Sequence, residues 1–251
     1  MKRARRQLEA VLTVAMAGFW LASCSEAGCL RDFTEEEIAT IMSTGTEDCL
    51  PGENAEDCTM RVLTINDSLD TSVLRSPSSA LSPDDLCSRH FRILSERMLR
   101  TVTHPSQDGV GIAAPQVGIN RKVIAVQRFD KPGEPFEVYA NIRILSKSDS
   151  TVIGREGCLS IPDRYAYVER SREIVIEYAD IDALSSAAEH NCKGLVRNIG
   201  KLFGQRAAVP MVTDTVRGFT AVIFQHEADH LDGILYTDRA MASKGMQENG
   251  Y

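Results

Sequence analysis

The stretch that most constrains this chain is VIFQHEADHLDG, residues 222–233, in which two histidines lie four residues apart with a glutamate between them. Positions four apart share one face of a helix, so His226 and His230 could bind a single metal ion. Glu227 would project away from that face, which leaves its carboxylate free to act on a metal-bound water. A divalent ion lowers the pKa of its water towards neutrality, and a neighbouring base can take the proton. The pattern therefore predicts a hydrolytic metal centre on a helix; the alternative is a helix whose histidines only form a polar face.

A hydrolytic site of this kind needs a third protein ligand and one open position. A downstream ligand is poorly supported, because the position of a third histidine in one class of metallopeptidase is Tyr236, and the only glutamate after His230 is Glu248. Upstream, REGCLSIP at residues 155–162 offers Cys158. Its thiolate would complete a site of one cysteine and two histidines, whereas a buried cysteine that acts only as a small apolar side chain is the alternative.

A third stretch, DGVGIAAPQVGI at residues 108–119, combines glycines and alanines with one amide side chain. Gly109 and Gly111 permit a close approach of the backbone to other groups. Gln116 offers an amide donor that could stabilise a developing oxyanion, together with a backbone N–H near Cys158. The stretch lacks the Lys-Ser/Thr pair of a phosphate-binding loop, and a plain glycine turn is the remaining alternative.

In this order, GVGIAAPQ, EGCLS and QHEADH resemble the three signature motifs of the peptide deformylase family. The similarity extends over about residues 60–241, apart from an insertion at about 185–212. The resemblance implies removal of the formyl group from the N-terminal formyl-methionine of polypeptides, with release of formate. It also implies that Cys158, His226 and His230 bind one metal ion, usually Fe²⁺, with Zn²⁺ or Ni²⁺ also accommodated.

The same resemblance implies further roles at the site. Glu227 would be the general base and acid, while Gln116 and the backbone N–H of Leu159 would stabilise the oxyanion. The substrate backbone would pair with Val110 and Gly111 as an added strand, and the methionine side chain would contact the metal-binding helix, with Tyr167 as a further candidate. The residues expected to bind formyl-methionyl peptides are Val110, Gly111, Ile112, Val222 and Ile223.

The patterns over residues 60–243 predict an α+β fold with largely antiparallel sheets. The resemblance implies that these sheets pack around the central helix that carries HExxH. Strands are predicted from β-branched residues at RVLTIN (61–66), KVIAVQRF (122–129), FEVYANIRIL (136–145) and REIVIEYADI (172–181). Ser82 and Pro83 begin a helix predicted at about 83–102. The second main helix is predicted to end at Gly233.

The N-terminus, MKRARRQLEAVLTVAMAGFWLASC, has a basic start and an apolar run that is short for a membrane span of about 20 residues. Its end, LASC, resembles a bacterial lipobox. This predicts a signal peptide over residues 1–24 and a membrane-anchored lipoprotein outside the cytoplasm, lipidated on Cys24. Residues 25–59 contain ten acidic residues and one arginine and are expected to form a tether. The alternative is a start at Met60 and a cytoplasmic protein.

The insertion at about 185–212 carries a second possible membrane contact. Lys193, Arg197 and Lys201 recur every four residues, which is typical of a basic amphipathic helix on a membrane surface. The alternative is a helix packed on its own domain with the basic face in water. Residues 244–251 are expected to form a C-terminal tail.

Composition excludes some functions and leaves others open. A net charge of −7 and 6% aromatic residues argue against nucleic-acid binding. Seven cysteines would permit disulfides in an exported protein, with the pairing open.

An Fe²⁺–thiolate site is sensitive to oxidation, which favours Zn²⁺ or Ni²⁺ outside the cytoplasm. The competing functions are a non-catalytic or weakly active binding lipoprotein and a metallopeptidase that cuts ordinary peptide bonds.

Overall fold

Helices and antiparallel strands alternate along the part of the chain that the computed structural model describes, residues 32–44, 54–107, 109–191 and 208–241. The helices are α1 Glu35–Met42, α2 Ser68–Leu74, α3 Pro83–Leu86, α4 Arg89–Thr103, α5 Ile181–Asn191 and α6 Gly218–Leu231. The strands are β1 Gly111–Ala113, β2 Val123–Gln127, β3 Phe136–Ala140, β4 Arg143–Lys147, β5 Thr151–Cys158, β6 Ile161–Ser171, β7 Glu173–Ala179 and β8 Met211–Arg217. All the described residues belong to one unit that spans 31–251.

The strands form three antiparallel groups. Two sheets have three strands each, in the orders β1-β2-β3 and β4-β7-β8, and β5 and β6 form a separate hairpin. β1 pairs with β2, with Gly111 opposite Val126 and Ala113 opposite Ile124. In the order β1-β2-β3, β1 is an edge strand of its sheet. The predicted α+β architecture with largely antiparallel sheets is therefore confirmed. No helix within the described ranges is long and apolar enough to cross a membrane.

Helix α6 lies in the core between the two three-stranded sheets. Its Ile223 and Phe224 belong to one buried cluster with Ile124 of β2 and Ile176 of β7. Gly233, two residues past the end of the helix, has a φ of 71°, a backbone conformation that favours glycine at this position. The predicted central helix and its end are both confirmed.

Two predicted elements are each divided in two. Ser88 accepts a hydrogen bond from the backbone N–H of Phe91 and so begins a new helix, which splits the helix predicted at 83–102 into α3 and α4. Asn141 has a φ of 51°, and its side chain bonds the backbone of Leu81 in both directions. That turn separates β3 from β4, where one strand was predicted over FEVYANIRIL.

The predicted strand over RVLTIN is not formed. The N–H of Leu63 donates to the carbonyl of Gln116, and the N–H of Ile65 donates to that of Ser160. The two acceptors lie on different segments of the chain, so residues 61–66 have no single neighbouring strand with which to pair.

The N-terminal segment is folded onto the domain where the structure describes it. Phe33 and Ile41 are buried in the larger core cluster, and Ile41 has no exposed surface. The buried guanidinium of Arg121 donates to the carboxylate of Glu37, and buried Arg97 donates to the carbonyl of Ile41. The expectation of a solvated tether is thus corrected for residues 32–44 and 54–59. The proposed signal peptide, Cys24 and the basic helix of the insertion lie outside the described residues.

Candidate metal centre

The three predicted metal ligands come together at one end of the β5–β6 hairpin. His226 and His230 share one face of α6, and Cys158 is the last residue of β5. The Sγ atom of Cys158 lies 3.2 Å from Nε2 of His230. One potential ligand atom from each of the three residues falls within 4.8 Å of the others, so a single ion can reach all three.

The chemistry of these donors fits a divalent transition metal. Burial opposes ionisation of the Cys158 thiol, but His230 and His226 outweigh it and lower the pKa of that thiol to about 5. The cysteine is therefore a thiolate near neutral pH, and the thiolate is the form that binds metals. One thiolate and two imidazoles suit Zn²⁺ and are also compatible with Fe²⁺ or Ni²⁺.

A buried carboxylate orients the first histidine. Oε2 of Glu156 lies 2.8 Å from Nδ1 of His226, which leaves Nε2 of that ring available to a metal. Burial opposes the charge on Glu156, but hydrogen bonds from Arg170 and His226 lower the pKa of the carboxyl to about 2. Arg170 also donates to Asp229, which ties β6 to α6. Glu156, Arg170 and Asp229 were not predicted from the sequence as site residues, although Glu156 and Asp229 lie within the quoted motifs.

Glu227 is a buried acid beside the three candidate ligands. Only 4% of its surface is exposed, and Oε2 has no hydrogen-bond partner among the described residues. Burial raises the pKa of Glu227 to about 7, although the neighbouring His226 and His230 lower it in part. A carboxyl group of this pKa can both accept and donate a proton near neutral pH.

Gly111 allows β1 to approach this acid closely. A methyl group added at Gly111 would lie 2.5 Å from Oε1 of Glu227 and 2.8 Å from Cγ2 of Ile223. Any larger residue would therefore displace Glu227 or the strand. The position of Glu227 thus explains why a glycine, whose backbone permits close approach, is present at residue 111.

Gln116 is buried with its amide towards the thiolate. Its Oε1 accepts a hydrogen bond from the N–H of Ala113 at 2.8 Å, which fixes the orientation of the amide. Its Nε2 lies 3.4 Å from Sγ of Cys158 and 3.3 Å from Oγ of Ser160. A donor is thus held next to the candidate metal site. Ser160 had not been identified from the sequence, although it follows Cys158 in the EGCLS motif.

A cleft of about 660 Å³ opens over these groups. Most residues predicted to bind substrate line it, namely Val110, Gly111, Val222 and Ile223, together with Leu159. Ile112 does not line the cleft, because alternation along β1 points its side chain into the core, where it is fully buried. Tyr167 also does not line it, and its side chain is 45% exposed.

The comparisons with known proteins agree with this geometry. The sequence model of the family described as polypeptide deformylase matches residues 59–194 and 207–246. A peptide deformylase of Synechocystis is 35% identical over 168 residues, which cover 66% of this chain and 73% of the relative. A peptide deformylase of Leptospira biflexa is 30% identical over 179 residues, which cover 68% of this chain and 84% of the relative.

Solved structures show the same relationship. The class I type b peptide deformylase of Acinetobacter baumannii in complex with Met-Ala-Ser superposes with a TM-score of 0.55 and 30% sequence identity, over 72% of this chain and 98% of that one. The peptide deformylase of Thermotoga maritima gives a TM-score of 0.55 and 28% identity, over 73% and 99% of the two chains. The three motifs, the fold built around α6 and these matches lead to one conclusion: the chain belongs to the polypeptide deformylase family of enzymes.

Proposed function

We propose that this enzyme is a metal-dependent hydrolase that removes the formyl group from the N-terminal formyl-methionine of polypeptides and releases formate. The observation that carries the proposal is the position of buried Glu227, which lies beside three converging metal ligands and against the unpaired edge of β1. A binding protein would have no need of a buried acid with a pKa of about 7 next to the ligands.

Cys158, His226 and His230 would hold the ion. When bound, a divalent ion would supply Lewis acidity and bring the pKa of a water molecule close to neutrality. Fe²⁺ is the ion that the family resemblance implies. In an oxidising compartment a site with Zn²⁺ or Ni²⁺ would resist oxidation better, because an Fe²⁺–thiolate site is readily oxidised.

The remaining chemistry belongs to side chains of this chain. Glu227 would take the proton of the attacking water and deliver it to the departing amine, which its raised pKa permits. The Nε2 of Gln116 and the backbone N–H of Leu159 would donate to the formyl oxygen as negative charge develops there. Since Ala113 already orients the Gln116 amide, this donor would need little reorganisation.

The substrate would bind as an extra strand. β1 is an edge strand of its sheet, and Val110 and Gly111 line the cleft beside that edge. An extended peptide can pair with such an edge through backbone hydrogen bonds while its side chains alternate between two faces. Val222 and Ile223 would then contact the methionine side chain.

The direct test is formate release from formyl-Met-Ala-Ser by the full chain, purified anaerobically and loaded in turn with Fe²⁺, Zn²⁺ and Ni²⁺. We expect release with at least one ion, loss of release on chelation, and recovery on reloading. Unformylated Met-Ala-Ser serves as the control, and its cleavage would indicate a metallopeptidase instead. Metal binding without release from any formylated peptide would favour the non-catalytic alternative.

We also propose that the enzyme works outside the cytoplasm, anchored through a lipid on Cys24. The support is the LASC sequence at the end of the apolar N-terminal run, together with the disulfide bond of Cys58, since disulfides persist in oxidising compartments. Its substrates would then be formylated peptides that leave the cytoplasm. A membrane fraction that loses the enzyme on Cys24→Ser would support this location, and a cytosolic wild type would rule it out.

A further inference from the structure

The mouth of the cleft carries a charge opposite to that of the chain as a whole. The chain has a net charge of −7, yet three exposed arginines line the cleft, Arg155, Arg164 and Arg172. We call these three residues the arginine rim. None of them forms an ion pair with another residue in the described ranges.

Two of these arginines are held in position by groups other than carboxylates. The guanidinium of Arg155 stacks on the ring of Tyr165 at 3.9 Å from its centroid, and Nε of Arg172 donates to the carbonyl of Thr151 at 2.9 Å. Stacking and a single backbone contact restrict each side chain without neutralising it. Donors of the guanidinium groups are thus left for a ligand.

Nearby acids do not cancel this charge. Glu156 is buried and is already bound by Arg170 and His226, and Glu227 is buried at the floor of the cleft. Among the described residues that line the cleft, Asp163 is the one exposed carboxylate. The rim therefore has more positive than negative charge, facing the space through which a peptide must enter.

We infer that the arginine rim selects formylated peptides that carry carboxylates after the formyl-methionine. The inference rests on the proposed deformylase function and assigns to this chain a preference among its substrates. Guanidinium groups bind carboxylates in a planar, bidentate manner, and a positive rim raises the local concentration of anionic ligands. The carboxylates could be acidic side chains or the free C-terminus of a short peptide.

The test compares formate release by the metal-loaded full chain from formyl-Met-Asp-Glu, formyl-Met-Ala-Ser and formyl-Met-Lys-Lys, each with a free and an amidated C-terminus. We expect kcat/KM for the acidic peptide to exceed that for the basic one by roughly tenfold, through KM, because each exposed ion pair contributes a few-fold. The difference should shrink between about 20 mM and about 300 mM salt, because exposed charges are screened. An acidic-over-basic preference that survives amidation assigns the selection to side-chain carboxylates, whereas faster turnover of the free form than of the amide in all three peptides assigns it to the C-terminal carboxylate.

Two triple variants with the same change of net charge separate the rim from general electrostatics. R155Q/R164Q/R172Q should bring the acidic and basic peptides to within about twofold of each other. R92Q/R143Q/R217Q changes three arginines that pair with acids outside the cleft and should keep the wild-type preference. Equal kcat/KM in the wild type for the acidic and basic peptides and also for the free and amidated forms, or a preference that survives in the rim variant, would overturn the inference.

Failure of the proposed function can be distinguished from failure of the rim. If no peptide releases formate, calorimetric binding of the unformylated peptides Met-Asp-Glu and Met-Lys-Lys decides the question. Tighter binding of the acidic peptide, lost in the rim variant, would sustain the rim while refuting the activity. Equal binding of the two peptides would refute the rim as well.

Discussion

Oε2 of Glu156 lies 2.8 Å from Nδ1 of His226, so the carboxylate two residues before Cys158 orients a second candidate ligand of the same metal. The β5–β6 hairpin and α6 are thus coupled at the site through side chains, and a bound ion would couple them further. Carboxylates that orient a histidine ligand in this way typically account for 10- to 100-fold in metal affinity or activity.

Glu156→Gln should therefore weaken metal binding about 10- to 100-fold. The amide retains the shape of the side chain but loses the negative charge that faces His226 and Arg170. Titration against a chelator of known affinity measures the effect. Glu169→Gln is the matched control, since that exposed residue lies on the same hairpin and its carboxylate accepts a hydrogen bond from Oγ1 of Thr151. Equal metal affinity in the two variants would contradict the orienting role.

Glu227→Gln should keep the metal and lose formate release by a factor of about 10² to 10⁴. The amide cannot accept the proton of the attacking water, whereas none of the three candidate ligands is altered. Metal content per chain and single-turnover formate release would be measured on the same preparation. Retained turnover would show that another group is the base.

Gly111→Ala should lower activity, because the added methyl would lie 2.5 Å from Oε1 of Glu227. This steric clash is removed if that carboxylate or β1 is displaced. Gly154→Ala is the control for stability, since a methyl group there meets no atom within 4 Å. We expect thermal denaturation to show a lower Tm for Gly111→Ala than for Gly154→Ala. A Gly111→Ala variant as active as the wild type would show that the strand moves freely.

Ile41→Ala should lower the free energy of unfolding by about 2–4 kcal/mol, as for other fully buried side chains. Ile41 lies in the larger core cluster with no exposed surface, although the sequence suggested a tether there. Leu69 is 78% exposed, so Leu69→Ala should change the free energy of unfolding by less than about 0.5 kcal/mol. Urea unfolding of both variants gives the comparison. A negligible effect of Ile41→Ala would mean that α1 detaches in solution.

Asp70 should make stability depend on pH at the acidic end. The hydrogen bond from Arg61 lowers the pKa of this buried carboxyl, although burial opposes it. A lowered pKa in the folded state stabilises the fold above the unfolded value of about 3.9, and this contribution is lost as the pH falls through the folded value. The stability gap between wild type and Asp70→Asn should therefore narrow from pH 6 to pH 3. A gap that stays constant over that range would contradict a role for the charge.

The residue types that carry the chemistry of the site could be predicted without the structure. His226, His230 and Glu227 were identified from spacing, because a helix fixes which positions four apart share a face. Cys158 and Gln116 were candidates by residue type, and the family resemblance implied their roles. The α+β class and the end of α6 at Gly233 followed from local patterns in the same way. These features depend on short-range geometry, which adjacent residues decide.

Features that depend on contacts between distant segments could not be predicted from the sequence and became visible in the folded chain. Glu156 contacts His226, and α1 packs against Arg97 and Arg121, although these residues are far apart in the chain. Residues 61–66 form no strand because their N–H groups donate to two distant segments. The burial of Ile112 depends on which face of β1 meets the core. The exposed charge of the arginine rim depends on which acids lie nearby. A sequence pattern states which face is apolar, whereas burial and charge at a given atom depend on every segment that packs around it.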